Sequence, residues 1–144
     1  MAPGGPTVTD PRALLERTRT VAVVGCSTHP GKAAHQIPRQ LQQAGYRVIP
    51  VHPSAETILG ERVYRTLAEI PEPIDLVDVF RPSPEAAGIA RQAVAVGAKA
   101  VWLQSGIRSE EAARIAEEAG LDYVENRCTG ADVARFGIRH EVGE

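Results

Sequence analysis

With 144 residues and 43% hydrophobic side chains, the chain has the size and apolar content of one packed domain, which excludes a disordered or low-complexity protein. The 16 Lys and Arg against 18 Asp and Glu leave a formal charge of −2; with no basic cluster and no series of stacking aromatics, nucleic acid is not an expected partner. No apolar run reaches the length of a membrane span and Met1 to Arg12 lacks a signal-peptide core, while Cys26 and Cys128 match neither a zinc pattern nor a C-x-x-C pair, so a cytoplasmic protein without a disulfide is expected.

A proline-rich tail over residues 1–9, mobile at Met1 to Pro6, precedes one domain over 10–138 and a short tail over 139–144. Asp10 as N-cap and Pro11 at the first helical position predict a helix to Thr18. Strand one is Thr20 to Gly25. A helix then runs from about Ala34 to Ala44, stopped by Gly45, with Pro38 near its first turn or bending it. Strand two is Tyr46 to Val51, Glu61 to Tyr64 is a short extra strand, and a one-turn helix ends at Pro71. Strand three is Ile74 to Phe80. Ser83 as N-cap and Pro84 in the first turn open a helix over Glu85 to Val96, strand four is Ala100 to Gln104, and Ser109 caps Glu110 to Ala119. Strand five, Asp122 to Glu125, leads to a last helix near Ala131 to Phe136.

This alternation predicts an α/β fold: a three-layer, Rossmann-like, doubly wound parallel sheet of about five strands. Val21 to Val24 and Val101 to Leu103 are continuously apolar, as strands buried on both faces should be. Strand three carries Asp75 and Asp78, which suits an edge and gives the expected strand order 3-2-1-4-5. Ligands of such sheets lie beyond the carboxyl ends of the strands where the winding reverses. The loops of interest are therefore Gly25 to Lys32, His52 to Ser54, Phe80 to Pro82, and Gln104 to Ile107.

The first of these, Gly25-Cys26-Ser27-Thr28-His29-Pro30-Gly31-Lys32, joins a strand to a helix and reads as an anion-binding loop. It is a poor dinucleotide fingerprint, because Ser27 and Pro30 stand where the second and third glycines belong, and strand two ends in His52-Pro53 instead of a carboxylate. It is a poor P-loop as well, since five residues separate Gly25 from Gly31 and Ala33 follows Lys32.

The runs Val21-Ala22-Val23-Val24-Gly25-Cys26-Ser27, Gly45 to Pro53, Asp75 to Arg81, Val101 to Ile107 and Asn126-Arg127-Cys128 resemble the small stand-alone CoA-binding proteins. That fold is similar to the N-terminal domain of the succinyl-CoA synthetase alpha subunit, and the resemblance spans about Val21 to Cys128. It implies coenzyme A or an acyl-CoA as ligand. The family usually has Asn where this chain has His52.

The residues fit that ligand, whose diphosphate and ribose 3′-phosphate need backbone donors and positive charge. Gly25 would allow close approach, Ser27 would donate its hydroxyl, and Lys32 would pair with a phosphate; a solvated loop lysine is the alternative. His52 and Pro53 would wall the nucleotide or simply turn the chain. Arg81, with Phe80 below it and Pro82 beside it, would hold a phosphate or stack on adenine, against the reading of an ordinary surface arginine. Gln104, Ser105 and Gly106 suit the two amides of the pantetheine arm, or only a turn. Cys26 is included in the site: ahead of a helix N-terminus it would exchange with a CoA thiol or disulfide, whereas the alternative is a small buried loop residue.

No catalytic set emerges, since His29, His35, His52 and His140 form no triad or metal spacing. The synthetases of the resemblance keep their phosphorylated histidine and ATP site in further domains, so an independent ligase is not expected. Three readings stay open: a non-catalytic CoA-binding module acting as carrier, sensor or regulatory partner of CoA enzymes; an NAD(P)-linked oxidoreductase or redox sensor; and an interaction subunit with a vestigial pocket.

Overall fold

The computed structural model describes residues 9–141. Five parallel strands form the central sheet: β1 (Thr20–Val24), β2 (Arg47–Val51), β5 (Leu76–Val79), β6 (Ala100–Leu103) and β7 (Asp122–Val124). A hairpin of β3 (Thr57–Ile58) and β4 (Glu61–Arg62) interrupts the alternation after β2. The helices are α1 (Pro11–Arg17), α2 (Ala33–Gln43), α3 (Ser83–Ala95), α4 (Glu110–Glu118) and α5 (Thr129–Phe136), with a 3-10 turn at Leu67–Glu69. No helix among the described residues is long and apolar enough to cross a membrane.

Side chains alternate along each strand and divide the core in two. Val21, Val23, Val48, Leu76, Trp102 and Val124 pack with Leu14 and Leu15 of α1, Leu41 of α2 and Val133 of α5. Ala22, Ile49, Val77, Val79, Val101 and Leu103 pack on the other face with Ile89 and the alanines of α3 and α4. The two layers of helices on a parallel sheet are the Rossmann-like architecture the alternation predicts.

The strand order is β2-β1-β5-β6-β7, so the third main strand lies between the first and the fourth and not at the edge. The expected order 3-2-1-4-5 is corrected by the surroundings of the two aspartates. Asp78 is 0% exposed. Gln104 Nε2 donates to its Oδ1 at 2.5 Å and Thr129 Oγ1 to its Oδ2 at 3.1 Å, so the carboxyl is satisfied without water. Burial outweighs these bonds and pushes its pKa up to about 7. Asp75 stands just before β5, where the N–H groups of Arg19 and Thr20 both donate to Oδ2 at 3.0 Å and fasten the start of β1.

Local signals act where expected at several helix ends. Asp10 Oδ1 accepts from Arg12 N at 3.1 Å, with Pro11 at the first helical position, and Ser109 Oγ accepts from Ala112 N at 3.0 Å. Ser83 departs from its expected role as cap: it is the first residue of α3, and its Oγ accepts from Arg108 N at 3.0 Å, tying two loops together. Met1 to Val8 of the expected N-terminal tail lie outside the described residues. Thr9 is anchored, its N–H donating to Tyr123 O at 2.8 Å. At the other end His140 N donates to Ala44 O at 2.7 Å and its ring meets Tyr46 edge-on at 4.7 Å, so this part of the expected C-terminal tail is docked on the domain.

Candidate functional site

Winding reverses at β1, whose neighbours are β2 on one side and β5 on the other. A cleft of about 690 Å³ opens there, beyond the carboxyl ends of these three strands. It is lined by Gly25 to His29 and Lys32 from the first loop, by His52 and Pro53 after β2, by Arg65 and Thr66, and by Phe80 and Arg81 after β5, with Glu85 and Gln92 from α3 at its rim.

The first loop is locked onto α2 by an atom that proline releases. Pro38 lies inside α2 and has no N–H, so the carbonyl of Ala34 one turn earlier lacks its helical donor. That carbonyl accepts from Ser27 N at 3.0 Å instead. Ser27 O in turn accepts from His35 Nδ1 at 2.8 Å, and Ser27 Oγ accepts from His29 N at 3.0 Å, which leaves the hydroxyl hydrogen for another acceptor. Lys32 occupies the N-cap of α2 without a side-chain cap, so the N–H groups of Ala33 and Ala34 have no acceptor among the described residues. The helix therefore presents its positive end to the cleft, with the exposed Lys32 beside it.

Gly25 accommodates a close approach from within the protein. Its φ is +88°, its N–H donates to Val51 O at 3.3 Å, and a Cβ built on it would lie 2.9 Å from Arg81 Cδ and 3.0 Å from Phe80 O. The close approach that requires glycine is thus made by the β5 loop. Arg81 lies over it and binds Glu85 side-on, Nε to Oε1 at 3.0 Å and Nη2 to Oε2 at 2.8 Å. The hydrogen bonds and charge of Glu85 raise the Arg81 pKa, and those of Arg81 lower that of Glu85. The guanidinium charge is neutralised within the protein.

Across the cleft, Ser54 N and Ala55 N donate to His52 Nδ1 at 3.1 and 3.0 Å. The ring closes the turn as an Asn side-chain oxygen would, and the neutral imidazole carries its hydrogen on Nε2. Arg65 clamps the same turn: Nη1 donates to the carbonyls of His52 at 3.1 Å and Ala55 at 2.6 Å, and Nη2 to Ser54 at 3.2 Å. Sequence reasoning missed Arg65, Thr66, Glu85 and Gln92. An i,i+4 spacing of Arg81 and Glu85 was a readable signal; for Arg65 the signal is the bridge pairing Val51 with Tyr64, which spacing alone does not disclose.

Pro82, Gln104, Ser105 and Gly106 lie outside this cleft. Pro82 is the exposed N-cap of α3. Gln104 is buried on Asp78 and Thr129, Ser105 is exposed, and Gly106 N donates to Asn126 Oδ1 at 2.7 Å. With β5 inserted between β1 and β6, the loop after β6 stands one strand farther from the crevice than the expected order would place it, about 4.8 Å.

Cys26 borders the cleft but is only 1% exposed, packed with the apolar layer under α2. Burial first, and the nearby Asp78 charge after it, push the thiol pKa up to about 12, against a lowering by the polar Ser27 backbone beside it. Of the two readings of Cys26, the structure agrees with the small buried loop residue and not with the reactive thiol: burial removes both thiolate and access. Incubation with CoA disulfide at pH 7.5 should leave Cys26 unmodified while the half-buried Cys128 and an added model thiol serve as comparators; an adduct at Cys26 by peptide mass spectrometry would contradict the burial.

The strand order, the two helical layers and the cleft at the switch point define a Rossmann-like class of α/β domain. Within that class, the chain belongs to the CoA binding domain family, whose profile matches residues 19–134. It is 35% identical over 123 residues to the Bacillus subtilis protein YneT, covering 85% of this chain and 91% of that one. It is 30% identical over 113 residues to the ADP-forming acetate–CoA ligase II of Archaeoglobus fulgidus, covering 77% of this chain but 17% of the ligase. A solved structure of a hypothetical protein from Pyrococcus horikoshii superposes with a TM-score of 0.86 at 36% identity, covering 94% of this chain and 99% of that one.

Proposed function

We propose that the protein binds coenzyme A or an acyl-CoA in the cleft at the β1 switch point, as a non-catalytic module that carries or senses the ligand or regulates a CoA enzyme. The observation that supports this reading most is the convergence of Lys32, the uncapped start of α2 and the Ser27 hydroxyl on one side of a cleft whose volume, about 690 Å³, falls in the ~300–1,000 Å³ range of small-molecule sites. Family membership and the match to a segment of an acetate–CoA ligase agree with it. The Ser27 loop and α2 would hold the diphosphate, and Phe80 and Pro53 would flank the nucleotide. The end of β2 offers His52 and Pro53 to the cleft where an NAD site would place a carboxylate for the ribose hydroxyls, which speaks against the oxidoreductase reading.

Calorimetric titration of ligand-stripped protein with CoA, 3′-dephospho-CoA and NAD tests the proposal. Micromolar binding of CoA, weaker without the 3′-phosphate, is expected; NAD binding tighter than CoA would overturn it, and silence from all three would favour a partner-binding subunit. Lys32→Ala should weaken CoA about 5- to 10-fold, the contribution of one exposed charge-assisted contact, with the thermal transition unmoved. Arg81→Ala should have the smaller effect, because Glu85 already holds that guanidinium. Unchanged affinity in both variants would remove the charged half of the argument.

A further inference from the structure

Arg65 has charge and hydrogen-bonding capacity left over after its structural work is done. Its guanidinium has five N–H groups. Three bonds go to the carbonyls of His52, Ser54 and Ala55, two from Nη1 and one from Nη2. The Nε–H and the second Nη2–H have no partner among the described residues. These two nitrogens form the edge that holds a carboxylate side-on in the pairs Arg81–Glu85 and Arg127–Asp132 of this same molecule. Carbonyl acceptors do not neutralise a guanidinium, Arg65 has no ion-pair partner among the described residues, and Glu69 accepts from the Arg65 backbone N–H at 2.9 Å. A positive charge with an open bidentate edge therefore lines the cleft.

The fold decides what that edge faces. Tyr64 N donates to Pro50 O at 3.1 Å and His52 N to Tyr64 O at 3.0 Å, so the Tyr64–Arg65 segment runs along the outer side of β2 and delivers the guanidinium to its carboxyl end. In doubly wound sheets the ribose of an adenosine ligand lies beyond the end of this second strand: an acid there takes its free hydroxyls, and an arginine takes a phosphate on the ribose. The diphosphate end is served separately, by Lys32 and α2.

Resting on the CoA reading above, we propose that Arg65 is the specificity-determining residue for the ribose phosphate, the group that separates coenzyme A from dephospho-coenzyme A. Its clamp on the His52–Ala55 turn fixes the guanidinium plane, so that the free edge meets two phosphate oxygens without further ordering of the side chain.

The test is a cycle between protein and ligand. Unsubstituted protein, Arg65→Gln and Arg65→Lys are titrated with CoA and with 3′-dephospho-CoA, with NADP and NAD in parallel. In Arg65→Gln the preference for CoA over dephospho-CoA should fall by about ten-fold or more, with dephospho-CoA affinity nearly unchanged; Arg65→Lys, which keeps charge but not the fork, should fall between. Equal losses for both nucleotides would mean that Arg65 only shapes the turn and would overturn the assignment while leaving the CoA reading intact. A larger drop in NADP preference over NAD would assign the edge to a 2′-phosphate and also overturn it. Failure of the unsubstituted protein to bind either CoA form would remove both proposals.

Discussion

Gly25→Ala is expected to destabilise the fold by about 2–4 kcal/mol, well beyond an ordinary glycine-to-alanine change. Two costs coincide. A side chain at φ +88° is strained in itself, and the new methyl group would press on Phe80 O and the Arg81 side chain, both held by β5 in the middle of the sheet. Gly106→Ala separates the two costs, because Gly106 has φ +84° yet nothing within 4 Å of a built Cβ. Urea unfolding should therefore show Gly106→Ala losing about 1–2 kcal/mol and Gly25→Ala about 1–2 kcal/mol more. Equal losses would mean that the β5 loop yields to the methyl group and that the close packing of Arg81 over Gly25 is not a constraint.

The second large effect is one of pH. Asp78 has a folded-state pKa near 7 and an unfolded value near 3.8, so between these limits the folded protein binds the extra proton. Stability then declines as pH rises through that window, by up to about 1.4 kcal/mol per pH unit, and levels off above pH 7 where both states are ionised. Asp78→Asn removes the titration while keeping the shape and leaving partners for Gln104 and Thr129. The advantage of the Asn variant over the parent should grow by roughly 2–3 kcal/mol between pH 5 and pH 8, with contributions from Asp75, Glu72 and the other carboxylates common to both proteins cancelling. A difference independent of pH would show that Gln104 and Thr129 hold the ionised carboxylate without penalty.

Asp78 also marks the limit of what the chain discloses when read in order. Continuous apolar runs at Val21 and Val101 and the caps at Asp10 and Ser109 act through neighbours in sequence, and those elements fell where their residues predict. The place of β5 depends on Gln104 and Thr129, which lie 26 and 51 residues from Asp78, and no local pattern reveals that they meet it. The strand-order error carried directly into the site, since a strand four beside strand one would bring Gln104, Ser105 and Gly106 into the crevice. Positions set by the first strand and its flanking loops survive that error. Gly25, Cys26, Ser27, Lys32, His52, Pro53, Phe80 and Arg81 all border the cleft, although Arg81 faces Glu85 there and Cys26 is buried beneath its floor.

The segment that carries Arg65 has one more effect, on the company this protein keeps. A sheet ends in two strands with unpaired backbone groups, each an invitation to another chain. At β2 the Tyr64 segment takes up Pro50 O and the His52 N–H, and the N–H that Pro50 lacks belongs to the same outward side. At β7, Thr9 takes up both the carbonyl and the N–H of Tyr123, the latter through its hydroxyl at 3.0 Å. Both margins are thereby blunted against strand addition, the route by which sheets recruit copies of themselves into fibrils.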